Sequence, residues 1–162
     1  MDSKDLELAQ RVGFLLLNQH QLLALAESCT GGGIAALITE IPGSAQWFER
    51  GFVTYSNLSK EQLLGVPAKM ISQYGAVSEE VVSAMATGAI RHSVANWAIA
   101  VSGVAGPTGG SVEKPVGMVC IAWANNNGLC EAQTYHFEGN RQEVRAQTTR
   151  YALQGLITRL DH

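Results

Sequence analysis

The chain has 162 residues, 46% of them hydrophobic and 15% charged, with a formal net charge of −3. That length suits one domain with a sizeable core, and a single domain over 1–162 is the expectation. The charge balance offers no basic field for nucleic acid, and no apolar segment is long enough to span a bilayer.

Asp2, Lys4, Asp5 and Glu7 open the chain in a pattern unlike a signal peptide. Cys29, Cys120 and Cys130 are odd in number and form no C-x-x-C pair, so reduced thiols and a cytoplasmic location are expected. Leu8, Val12, Leu15 and Leu16 recur at helical spacing and predict an amphipathic helix over 4–19. The apolar run from Leu22 to Ala26, ending at Glu27, predicts a strand over 22–27. A tight turn at Ser28 and a helix over about 31–40 follow, closed by Pro42-Gly43. Phe52-Val53-Thr54-Tyr55 reads as a short strand, and Asn57 as the cap of a helix running to Leu64. Ser78 caps the next helix, with Glu79 and Glu80 in its first turn. The segment Trp97-Ala98-Ile99-Ala100-Val101 is a buried strand leading into Ser102-Gly103. Val116 to Ala124 and Ala132 to Phe137 read as a hairpin around Asn125-Asn126-Asn127-Gly128. Asn140 and Glu143 resemble a capping box for a last helix carrying Leu153, Leu156, Ile157 and Leu160. Strands alternating with helices predict a layered α/β domain with a mixed sheet.

Three segments carry candidate chemistry. In Glu27-Ser28-Cys29-Thr30-Gly31-Gly32-Gly33 a hydroxyl stands at a strand-to-helix turn, where unpaired backbone N–H groups suit an oxyanion or a phosphate. Ser28 is a candidate nucleophile with Cys29 its competitor, and a plain helix cap is the alternative. In Tyr55-Ser56-Asn57-Leu58-Ser59-Lys60, a lysine in the first turns of a helix opposes the helix dipole. No histidine adjoins a glycine-rich strand end, so Lys60 with a lowered pKa is the candidate base and Tyr55 a candidate relay. A solvated Lys60 and a core Tyr55 would be the bland counterpart. The third segment, Ser102-Gly103-Val104-Ala105-Gly106-Pro107-Thr108-Gly109-Gly110 followed by Glu113-Lys114-Pro115-Val116-Gly117, takes a buried strand into a loop without bulky side chains. It matches neither a Walker A loop nor a dinucleotide fingerprint, and reads either as a ligand loop or as an ordinary flexible one.

These segments together resemble the competence/damage-inducible CinA C-terminal domain family, and within it the stand-alone nicotinamide-nucleotide amidases. Ala26-Glu27-Ser28-Cys29-Thr30-Gly31-Gly32 is the most specific match. Gly51 to Asn57 with Lys60, Gly75-Ala76-Val77-Ser78-Glu79, Gly103 to Pro107 and Glu113 to Gly117 match in the same order, over about 5–160. The resemblance implies a three-layer α/β/α sandwich, homodimers or higher oligomers, and hydrolysis of nicotinamide mononucleotide to nicotinate mononucleotide and ammonia. It implies no cofactor and no metal. A catalytic Ser–Tyr–Lys group would fall on Ser28, Tyr55 and Lys60, with backbone donors at Cys29 and Thr30. Substrate binding is expected at Gly31, Gly32, Asn57, Gly103, Ala105, Gly106, Lys114 and Arg141, with Arg141 equally readable as a surface cation. Asn140 before Arg141 and Leu58-Ser59 before Lys60 depart from the usual aspartate and Glu-Ala. A non-catalytic nucleotide-binding module, or a serine amidase or esterase of other specificity, is the alternative reading.

Overall fold

In the computed structural model, which describes residues 2–161, the apolar segment Leu23–Glu27 (β1) pairs in parallel on both sides. Its neighbours are Phe48–Val53 (β2) and Trp97–Gly103 (β3). Met118–Asn125 (β4) and Cys130–His136 (β5) continue antiparallel, giving the order β2-β1-β3-β4-β5.

The two faces of this sheet differ in residue size because side chains alternate along each strand. Leu23, Leu25, Trp97, Ile99, Val101, Ile121 and Trp123 project to one face, beneath Ser3–Asn18 (α1), Gly33–Ile38 (α2) and Arg141–Leu160 (α6). Ala24, Ala26, Ala98, Ala100, Cys120, Ala122 and Ala124 project to the other. Small residues there let Glu79–Arg91 (α5) lie close on the sheet through Val82, Met85, Ala86 and Ala89. Asn57–Leu64 (α3) and Ala68–Tyr74 (α4) complete that layer. The result is a three-layer α/β/α sandwich with a mixed sheet.

Local chemistry explains where the elements start and stop. Asp2 caps α1, Ser78 caps α5, and the Asn140–Glu143 capping box opens α6 as its sequence implies. Gly65, at φ 70°, ends α3. Several boundaries differ from expectation. Gly31 and Gly32 adopt φ 58° and 96°, so α2 begins at Gly33 and not at 31. The cap of α3 is Ser56, whose hydroxyl accepts from Ser59 N–H, and Asn57 is the first helical residue. Strand β2 runs earlier, so Tyr55 lies two residues beyond its end. Helix α4 was not anticipated; Pro67 precedes it and no side chain caps it.

Gly88 of α5 shows how tightly the alanine face is covered. A Cβ there would meet the Leu64 carbonyl oxygen at 2.1 Å. Replacement Gly88→Ala should therefore push α5 from the end of α3 and destabilise the fold by about 1–3 kcal/mol, read as a lower urea midpoint. An unchanged midpoint would mean that this contact relaxes freely.

Candidate active site

Strands β1, β2 and β3 run parallel and end together, at Glu27, Val53 and Gly103. Such a shared C-terminal edge is where open α/β sheets place their ligands. Ser28 follows β1 directly, and its N–H bonds the Val101 carbonyl at 3.1 Å. The chain then turns tightly, with Gly31 N–H on the Ser28 carbonyl at 3.0 Å and Gly33 N–H on the Thr30 carbonyl at 2.9 Å.

The preceding residue supplies the cap that α2 otherwise lacks. Glu27 is 1% exposed, and its carboxylate accepts from the Thr30 hydroxyl at 2.5 Å. It also accepts the N–H groups of Gly32 at 3.2 Å, Ile34 at 3.0 Å and Ala35 at 2.9 Å. Ser28 is thereby free of capping duty, which excludes the plain-cap alternative.

Its hydroxyl instead meets Lys60. Lys60 is the fourth residue of α3 and is 1% exposed. The Nζ atom lies 3.1 Å from Ser28 Oγ and donates to the carbonyls of Thr54 at 2.9 Å and Tyr55 at 3.3 Å. Burial holds the amine below the ordinary lysine range. The positive end of α3 acts in the same direction, and among the described residues no carboxylate pairs with it. Beside this pair, burial pushes the Cys29 thiol up to about 12. A thiolate is thus disfavoured at Cys29, whereas the Ser28 hydroxyl has a base within hydrogen-bond reach.

The bland counterpart, a solvated lysine and a core tyrosine, is the reverse of what the structure shows. Tyr55 is 62% exposed. Its hydroxyl accepts from Arg141 Nη2 at 3.2 Å and does not meet the amine, which touches Tyr55 only at the backbone. Arg141 Nη1 donates to the Gly106 carbonyl at 2.7 Å. These groups border a cleft of about 170 Å³, whose lining includes Ser28, Cys29, Lys60, Tyr55, Asn57, Gly103, Ala105 and Arg141. Gly106 takes part through its carbonyl. The N–H groups of Cys29 and Thr30 meet no acceptor of another described residue.

Three expected binding residues lie elsewhere. Gly31 and Gly32 shape the turn behind Ser28 and do not line the cleft. Lys114 donates to the carbonyls of Tyr74 and Val77, fastening the α4–α5 connection. Conversely, Glu27 and Ser102 stood in the singled-out segments without a role of their own, and Arg145 was not anticipated. Ser102 is buried in the cleft wall, and Arg145 Nη2 donates to the Thr30 carbonyl at 2.9 Å. Only Glu27 had a readable signal, an acidic residue closing an apolar strand just before a glycine-started helix. A larger groove of about 740 Å³ between α1 and α6 contains neither Ser28 nor Lys60. Among the described residues there is no group of three His, Cys, Asp or Glu placed to hold a metal ion, and no helix long and apolar enough to cross a membrane.

The chain is similar to known proteins in sequence and in fold. The family model for the CinA C-terminal domain matches residues 5–160. The chain is 50% identical over 155 residues to the nicotinamide-nucleotide amidohydrolase PncC of Escherichia coli strain K12, covering 96% of this chain and 94% of that one. It is 52% identical over 150 residues to the nicotinamide-nucleotide amidohydrolase PncC of Pseudomonas putida, covering 93% of each. The crystal structure of competence/damage inducible protein CihA from Agrobacterium tumefaciens superposes with a TM-score of 0.96 at 42% identity, over 100% of this chain and 98% of that one.

The state of the thiols is open to a direct check. Cys29 and Cys120 are buried with raised pKa values, while Cys130 is exposed. Iodoacetamide at mildly alkaline pH should label Cys130 alone in the folded protein, as read by peptide mass spectrometry. Rapid labelling of Cys29 would contradict the thiol state derived above.

Proposed function

Since the chain belongs to the CinA C-terminal domain family, we propose that it hydrolyses the carboxamide of nicotinamide mononucleotide, giving nicotinate mononucleotide and ammonia. The observation that carries this reading is the 3.1 Å approach of Ser28 Oγ to a buried lysine amine. Neutral Lys60 takes the serine proton as Oγ attacks the carboxamide carbon. The resulting oxyanion finds its donors in the free N–H groups of Cys29 and Thr30. The Lys60 ammonium, steadied meanwhile by the Thr54 and Tyr55 carbonyls, returns its proton to the departing nitrogen. The C–N bond breaks, ammonia leaves, and an ester to Ser28 remains. Water then attacks that ester with Lys60 as base, releasing the carboxylate and restoring the hydroxyl. None of these steps calls for a cofactor or a metal.

The Ser28–Lys60 contact makes a relay through the Tyr55 hydroxyl unnecessary. We assign Tyr55 to the mouth of the cleft, where its ring faces the pyridine and its hydroxyl steadies Arg141. The guanidinium of Arg141 is the phosphate partner in this reading, because the Lys114 amine is already engaged by two carbonyls. Asn57, Gly103, Ala105 and Gly106 border the nucleotide. Action as a homodimer or larger assembly belongs to the same proposal.

Ammonia release from purified variants tests the catalytic pair. Ser28→Ala should lose on the order of 10³-fold or more in turnover, with folding intact. A guanidinium does not deprotonate, so Lys60→Arg should be nearly as inactive as Lys60→Ala. In the unmutated enzyme kcat/KM should rise with pH through the lowered pKa of Lys60, because acid charges the base and removes its lone pair. An active Lys60→Arg enzyme would show that the position supplies charge alone.

Substrate fragments test the pocket. Charge-assisted bonds to a phosphate contribute roughly 1.5–3 kcal/mol each and also orient the amide. Nicotinamide mononucleotide should be cleaved far better than nicotinamide riboside, and Arg141→Ala should narrow that gap. Equal kcat/KM for nucleotide and riboside in the unmutated enzyme would refute a phosphate-anchored pocket.

A further inference from the structure

The turn that carries Ser28 is tied to α6 by a second arginine, one helical turn beyond Arg141. Arg145 Nη2 donates to the Thr30 carbonyl at 2.9 Å. That carbonyl shares a peptide group with Gly31 N–H, which donates to the Ser28 carbonyl at 3.0 Å. The Ser28 carbonyl in turn shares a peptide group with Cys29 N–H, which meets no acceptor of another described residue. The guanidinium, the Thr30–Gly31 peptide group and the Ser28–Cys29 peptide group thus form one directional series ending beside Ser28.

Two further observations show that this arrangement is built and not incidental. The Arg145 Nε atom is buried without a partner, so the side chain is held here although its own donors are incompletely satisfied. Arg145 Nη2 also lies 3.5 Å from where a Cβ on Gly31 would be, so the guanidinium rests directly over the turn. Glu27 holds the Thr30 hydroxyl while Arg145 holds the carbonyl of the same residue.

We propose that Arg145 is a positioning residue for acyl transfer, fixing the oxyanion turn and polarising Cys29 N–H through the Thr30–Gly31 and Ser28–Cys29 peptide groups. This inference rests on Ser28 being the nucleophile. Hydrogen-bonded amides strengthen one another by ~10–30% per bond, and a formal charge at the head of the series adds to that. The benefit falls on the tetrahedral state, where negative charge faces the N–H, and leaves substrate binding untouched.

The test compares Arg145→Met and Arg145→Lys with the unmutated enzyme, using kcat, KM, thermal melting and inhibition by the aldehyde analogue of nicotinamide mononucleotide. That aldehyde is attacked by Ser28 Oγ to give a hemiacetal whose oxygen occupies the oxyanion position. Arg145→Met should lower kcat about tenfold to a hundredfold, below the ~10²–10³ for deleting a donor outright, with KM within about twofold. Aldehyde affinity should fall by the same factor as kcat while nicotinate mononucleotide binds unchanged, and Arg145→Lys should recover most of both. Unaltered kcat in Arg145→Met would overturn the proposal. So would a kcat loss with aldehyde affinity retained, which would mark a structural role only. Ser28→Ala separates the two levels: residual turnover there removes the nucleophile reading itself, whereas an inactive Ser28→Ala beside a fully active Arg145→Met removes only this inference.

Discussion

A carboxylate with almost no solvent contact is tolerated only where donors surround it. Glu27 has four, one hydroxyl and three backbone N–H groups, all from the turn and first residues of α2. This single side chain joins the end of β1 to the start of α2 and fixes every residue between them. It performs the task that a serine at a helix start normally performs, and so leaves Ser28 with a hydroxyl that has no structural employment. The chemistry of the site depends on that substitution of roles.

Lys60 is the complementary case. Its amine sits among carbonyls and a hydroxyl, without a carboxylate, near the positive end of a helix. Burial, the lack of a carboxylate partner and the helix end all disfavour the ammonium form, and the two carbonyls only partly offset them. The position is poor for a structural lysine and well suited to a base. The packing of α5 on the alanine face sustains it, because Leu64 at the end of α3 is wedged against Gly88 and holds the helix that carries the amine.

Much of this was legible in the sequence, and the failures share a cause. Periodicity marked α1, and capping residues marked α5 and α6, because these signals are local: Ser78 and the Asn140–Glu143 box act on neighbours a few residues away. Ser28 and Lys60 could be singled out from their positions at element ends. Which of Lys60 and Tyr55 is buried could not, since that depends on how α3 lies against β1. Helix α4 gives no capping signal at all, and β2 carries Glu49 and Arg50 in place of an apolar alternation. Arg145 and Thr30 are 115 residues apart, so no spacing rule connects them. Lys114 was misjudged for the same reason, its carbonyl partners being about 40 positions upstream.

The hydrogen bonds of Arg141 bear on the shape of the cleft. Its guanidinium joins three separate stretches, the segment after β2 at Tyr55, the loop after β3 at Gly106, and α6 itself. A guanidinium has five N–H donors, and the two engaged here leave others unspent. The mouth of the cleft is therefore already tied into a ring before anything enters it. Conformational freedom of those loops is surrendered during folding, where the whole core offsets it, and not at the moment of capture. In the proposed reading, the phosphate meets a rim whose shape is settled, and the energy of that meeting remains available for aligning the atoms that react.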